Sequence, residues 1–263
     1  MPAYKITDLI IYPIKSLGGI SVSETQVQTR GLQYDRRWML VDDQGQFMTQ
    51  RENPQMALFS CALSENKMVV TYKGEVCTFN LDTVREDATR VQVWSSKFKA
   101  QEVDAAASKW FSRHLGLPAT LVKMTALSKR PKRLFTSPFK TELSFADGYP
   151  ILVLGNESMS HLNAQLENPL HINRFRANII VDTKTAHEED TWPDFDLGTA
   201  RIKIIKPCAR CNVITIDQTD ATKGKEPLKT LASYRTKRNK IYFGANAIVL
   251  KEGHVGVGDL IKV

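Results

Sequence analysis

Ala200-Arg201-Ile202-Lys203-Ile204-Ile205-Lys206-Pro207-Cys208-Ala209-Arg210-Cys211-Asn212 opens as an alternating run and closes on a pair of cysteines. Apolar and charged side chains take turns at its start, the period of a half-buried strand. A lysine flanks the cysteine segment and an arginine sits between the two sulfurs. Nearby cations favour thiolate over thiol, and the thiolate is the form that binds a metal or attacks sulfur. Soft-ligand chemistry therefore belongs here. Two cysteines packed in a strand and its turn fit the same spacing, because a single C-x-x-C is weak evidence by itself. A structural zinc site needs four ligands, and none of the five histidines lies near this pair in sequence.

Outward from this stretch, strands dominate. Lys5 to Tyr12 is an apolar-rich strand stopped by Pro13. Trp38–Val41 and Gln46–Thr49 flank Asp42-Asp43-Gln44-Gly45, a hairpin with a four-residue turn. Leu58–Leu63, Met68–Tyr72 and Val76–Leu81 are three more short strands, and Cys61 and Cys77 lie inside them as packing residues. Asp104 to His114 changes period to that of a helix, with Asp104 as cap and Gly116 as stop. Further helices are expected at Glu157–Glu167, capped by Asn156, and from Glu226-Pro227 onward. Between them lie strands Ile151–Leu154, Asn178–Asp182 and Arg201–Ile205. The expectation is an α+β protein, β-rich and barrel-like, rather than a doubly wound sheet. The basic stretch around Pro131 reads as the linker. Residues 1–121 form an N-terminal β-rich domain and residues 122–263 a second domain.

Composition narrows the function classes. Of 263 residues, 42% are hydrophobic and 24% charged, an ordinary globular balance. No apolar run approaches the roughly 20 residues of a membrane span, and Met1 to Lys5 lacks a signal-peptide core. Four cysteines without an export signal read as reduced thiols in a cytoplasmic protein. The net charge of +8 favours an anionic partner. The densest basic run, Lys129-Arg130-Pro131-Lys132-Arg133, is either a solvated loop or a patch for an acidic protein, a phosphate-bearing ligand or nucleic acid. A nucleic-acid polymer ranks last, since the chain shows neither zinc-finger spacing nor an RNP motif.

Other segments are too specific for generic core. They are Tyr12-Pro13-Ile14-Lys15-Ser16, Asp35-Arg36-Arg37-Trp38, Phe145-Ala146-Asp147-Gly148-Tyr149-Pro150, Asn173-Arg174-Phe175-Arg176-Ala177-Asn178 and Val257-Gly258-Asp259. In this order, and with the cysteine segment, they resemble the MOSC family over nearly the whole chain. The likeness is to its amidoxime-reducing type and bacterial relatives. The resemblance implies a MOSC β-barrel-like domain preceded by a smaller β-rich region. It implies a molybdenum cofactor, the metal on a pyranopterin dithiolene, with Cys211 as protein ligand and Cys208 as a packing neighbour. A thiolate, a soft donor, suits such a centre. Lys15, Ser16, Arg36, Arg176 and Asn178 match the cofactor cradle, arginine as a planar fork and Lys15 as a point charge. Each of them alone would read as a surface ion pair. Asp147 matches an acidic residue near the metal, placed to relay a proton or orient an amidine; a turn residue capping Gly148 is the plainer reading. Gly148-Tyr149 departs from the two small hydroxyl residues of the animal enzymes.

The implied activity is that of a molybdenum-dependent oxidoreductase acting on N–O bonds. Its substrates would be small N-hydroxylated compounds: amidoximes, hydroxylamines and N-hydroxylated bases. A sulfur carrier with a persulfide on Cys211, or a cofactor-binding module without reductase activity, is the alternative. Pyridoxal phosphate binding comes as a further family association. Turnover needs two electrons, and the remaining cysteines do not make a plant-type cluster. A separate carrier is expected, a ferredoxin, flavodoxin or cytochrome-like protein.

Overall fold

A computed structural model of the chain describes residues 3–133 and 140–263. Its largest sheet has nine strands, and the cysteine stretch belongs to it. Across the sheet run Asp194–Leu197, Ala200–Ala209, Lys240–Lys251, Ile151–Gly155, Ile179–Val181, Ala3–Ile11 and Ile20–Val22. Neighbours are antiparallel except Ile151–Gly155 beside Ile179–Val181. The N-terminal strand thus sits among strands from residues 151–251. Its buried side chains Ile6, Leu9 and Ile11 join Val153, Ile179, Ile202 and Ala247 in one core.

A second core lies under the four-stranded sheet of Trp38–Val41, Thr120–Lys123, Ser96–Glu102 and Ala88–Val93 and the meander Ser60–Ser64, Lys67–Tyr72, Glu75–Asn80. Helix Ala105–Leu115 closes it with Ala107, Phe111 and Leu115. Its ends follow the sequence: Asp104 Oδ1 accepts from the Ala106 and Ala107 N–H groups at 2.6 and 3.3 Å, and Gly116, at φ 72°, donates to Ser112 O. The architecture is α+β and β-rich, with three α-helices among the described residues.

Several details differ from the sequence reading. The second helix spans Asn156–Asn163, with Gly155 rather than Asn156 at its N-cap; the Asn156 amide donates instead to Thr7 Oγ1 at 3.2 Å. The Pro131 stretch is not a free linker. Pro131–Arg133 pairs with Lys140–Glu142, and buried Arg130 donates to Ser144 O at 2.7 Å and to Ala146 O. Lys240–Lys251, the twelve-residue partner of Ala200–Ala209, is a strand without a clear local sequence signal. It is buried along much of both faces, so it lacks the alternation that marks a half-exposed strand.

Candidate active site

The chain enters the site through three left-handed turns. Ser16, Arg36 and Arg176 take φ values of 70°, 50° and 55°. Non-glycine residues rarely adopt this region, and it costs of order 1 kcal/mol or more each. Ser16 follows the Pro13 break after the first strand, where the Lys15 N–H donates to Trp38 O at 2.8 Å. Buried Gln50 holds Ser16 by donating to its carbonyl at 2.7 Å.

Asp35 ties the next layer together. Fully buried, its carboxylate accepts from the Tyr12 N–H at 2.8 Å, from Arg36 Nη1 at 2.8 and 2.9 Å, and from Asn178 Nδ2 at 3.0 Å. Asn178 Nδ2 also reaches Ile10 O at 3.1 Å, while its Oδ1 accepts from the Leu152 N–H at 3.2 Å and Arg36 Nη1 at 3.1 Å. All of its amide capacity is therefore engaged inside the protein. It joins the first strand to Ile151–Gly155 and fixes the Arg36 guanidinium. The carbons Cζ of Arg36 and Arg176 lie 4.5 and 4.2 Å from the Tyr12 ring centroid. Burial, then the like charge of Arg36, pulls the Arg176 guanidinium down to about 10. Arg176 Nη2 and the Tyr12 hydroxyl are both buried and without a hydrogen-bond partner.

A line of contacts then runs to the cysteine segment. Lys15 Nζ lies 2.5 Å from Asp147 Oδ1 and donates to Phe145 O at 2.8 Å. Burial pulls its ammonium from the ordinary 10.5 to about 8, against the opposing pull of Asp147. Desolvation would raise the Asp147 carboxyl. Lys15, its hydrogen bond, Arg51 and the Trp94 indole N–H at 3.1 Å outweigh that and hold it well below the usual carboxylate range. The same Arg51 guanidinium, 4.7 Å from the Trp94 ring centroid, stands 3.5 Å from Asp147 Oδ2 and 3.5 Å from Cys211 Sγ. Cys211 lies two residues beyond the long strand, exposed, at the start of the 3-10 turn Asn212–Thr215. Cys208 is half-buried, with Arg210 Nη1 at 3.4 Å from its sulfur. Burial pushes the Cys61 and Cys77 thiols up to about 12 and 11, the behaviour of packing residues.

Lys15, Ser16, Arg36, Asp147, Arg176, Asn178, Cys208 and Cys211 all line one cavity of about 480 Å³. Six cationic side chains line it: Lys15, Arg36, Arg51, Arg176, Lys206 and Arg210. Among the described residues Asp147 is the only carboxylate on its wall. Sequence reading passed over Asp35, Gln50, Arg51 and Trp94. Asp35 stood inside a quoted motif, whereas Thr49-Gln50-Arg51 and Trp94 look like ordinary turn residues and carry no local signal. Among the described residues, no group of three or more His, Cys, Asp or Glu side chains is placed to hold a metal ion. The two thiols on the cavity wall, Cys208 and Cys211, are the soft donors the site offers. The unpartnered Arg176 nitrogen and the surplus of cations fit a group that ends in phosphate.

Comparison with known proteins identifies the family. A model of the MOSC N-terminal beta barrel domain matches residues 3–118, and a model of the MOSC domain matches residues 140–262. Mitochondrial amidoxime reducing component 2 of Bos taurus is 30% identical over 276 residues, covering 97% of this chain and 81% of its own. Mitochondrial amidoxime-reducing component 1 of Mus musculus is 28% identical, covering 97% and 80%. A molybdenum cofactor sulfurase of Oryza sativa subsp. japonica is 31% identical over 265 residues, 91% of this chain but 32% of the sulfurase, so the chain spans about a third of that relative. The chain belongs to the MOSC family, with the family's N-terminal and MOSC domains in order. Among the described residues no helix is long and apolar enough to cross a membrane.

Proposed function

We propose that the chain binds a molybdenum cofactor through Cys211 and reduces small N-hydroxylated compounds, with electrons from a separate ferredoxin, flavodoxin or cytochrome-like carrier. The observation that carries this is the exposed Cys211 thiol, 3.5 Å from Arg51, in a cation-lined cavity where buried Arg176 Nη2 lacks a partner. When bound, the cofactor supplies the two electrons that open the N–O bond. Arg36 and Arg176, set by Asp35, Asn178 and Tyr12, hold its anionic end, and Ser16 with Lys15 completes that wall. Lys15 Nζ, near 8, keeps a proton at neutral pH that it can release to the departing oxygen. Asp147, ionised throughout that range, orients this ammonium and Arg51 rather than donating a proton. Residues 1–121 and 122–263 are taken as the two domains, and the cavity draws on both. A reducing compartment such as the cytoplasm keeps Cys211 a free thiol.

The test is elemental analysis of protein made in a cofactor-competent host, followed by benzamidoxime reduction with reduced viologen. Stoichiometric molybdenum with turnover supports the reading; molybdenum-free protein refutes it. A second reading, a persulfide carrier on Cys211, draws on the likeness to the sulfurase over 91% of this chain. Intact-mass spectrometry separates it, by a stable gain of one sulfur atom on Cys211 without bound metal.

A further inference from the structure

Two ammonium groups converge on a single ring beside the cavity. Lys132 Nζ lies 4.6 Å and Lys206 Nζ 5.3 Å from the Tyr149 ring centroid. Lys132 comes from the short strand Pro131–Arg133, and Lys206 from the strand that leads to the cysteines. Tyr149 and Lys206 line the same cavity as Cys211. Burial, then the charges of Lys206 and Arg130, pulls the Lys132 ammonium down. Among the described residues neither lysine has a carboxylate within ion-pair distance. Residues 1–2 and 134–139 contain no aspartate or glutamate that could supply one. Two like charges held on one ring with no counterion form a site that favours an anion.

We propose that Lys132 and Lys206, both set against the Tyr149 ring, form a phosphate subsite that selects the substrate, so that the preferred N-hydroxylated compounds carry a phosphate, a nucleotide rather than its nucleoside or free base. The inference rests on the reductase reading above. A phosphate brings close to two negative charges and three acceptor oxygens at neutral pH, enough for both ammonium groups. The cofactor's own phosphate has a different cluster, Arg36 and Arg176 on Tyr12. The residue types match the two tasks. Arginine forks pinned by Asp35 suit a group that stays, and lysines on flexible stems suit one that exchanges each turnover.

The experiment compares N4-hydroxycytidine with its 5′-monophosphate, using reduced viologen as donor. The expected kcat/KM is about tenfold higher for the monophosphate, carried mainly by KM, as two partly solvated charge-assisted contacts allow. The double variant Lys132→Gln, Lys206→Gln should bring the ratio close to one, and Lys132→Arg, Lys206→Arg should keep most of it. A calorimetric arm needs no turnover: cytidine 5′-monophosphate should bind the purified chain more tightly than cytidine, and the glutamine variant should lose the difference. A wild-type ratio near one, or a preference that survives the glutamine substitutions, overturns the subsite. If the glutamine variant instead raises only the KM for a protein donor, the patch docks the carrier and the subsite is likewise overturned. If molybdenum is bound and neither compound is reduced, the reductase reading fails, and the calorimetric arm still decides the subsite.

Discussion

Asp147→Asn leaves a buried ammonium without its counterion, and the effect on stability should depend on pH in a defined direction. Lys15 is 7% exposed at its side chain and Asp147 is 53% exposed, with 2.5 Å between Nζ and Oδ1. Burial has already moved Lys15 from 10.5 to about 8, a penalty of roughly 3 kcal/mol on the charged form. Removing one partner of a fully buried pair costs about 3–5 kcal/mol. Solvent screening at the half-exposed carboxylate lowers this to about 1–2 kcal/mol. In the variant the Lys15 pKa falls further, because the attraction that opposed desolvation is gone. Below that lowered value Lys15 is charged in both proteins, and the variant bears the whole cost. As pH rises toward 8 the variant sheds the proton first, its folded state holds fewer protons than its unfolded state, and its stability recovers relative to wild type. Above about 8 both lysines are neutral, and only the loss of the Arg51 contact remains. Urea unfolding of both proteins at about pH 6 and about pH 9 measures this, with the gap expected to shrink at the higher pH. A gap that is constant, or wider at the higher pH, would refute the claim that Asp147 acts chiefly as counterion to Lys15.

Cys211→Ser should abolish bound molybdenum and turnover with an unchanged melting temperature, whereas Cys208→Ser should keep a substantial part of both; metal analysis and thermal melts decide it. Arg176→Gln should lower molybdenum content about tenfold at limiting cofactor, as expected for loss of a charge-assisted contact. It should not lower Tm, because the change also relieves the repulsion from Arg36. Viologen-driven turnover should proceed where NADH alone fails. With subsaturating natural donor the rate should fall as salt rises through about 0.1–0.5 M, where screening lengths drop below ~10 Å; a flat salt profile would remove the electrostatic docking.

Local signals in the sequence located some of the strands, the first helix and the motif residues, because period, caps and turn chemistry act over a few neighbours. Asp104 and Gly116 cap helix Ala105–Leu115 by contacts within four residues. The second helix starts one residue earlier than its local sequence implies, for the converse reason. Asn156 is a good cap by type, yet its amide is taken by Thr7, 149 residues away. The site repeats this at higher stakes. Lys15 and Asp147 were both legible as motif members, but their pairing spans 132 residues, and the pairing sets their chemistry. Read singly, the aspartate is the natural proton relay and the lysine a point charge. Placed 2.5 Å apart, the carboxylate is held ionised, while burial, against the pull of that carboxylate, brings the ammonium down to about 8, so the acid of the pair is the lysine. Arg51 carried no signal because its meaning lies wholly in its two distant neighbours, Asp147 and Cys211, 96 and 160 residues on. A residue whose role is to join two others has no pattern of its own to read.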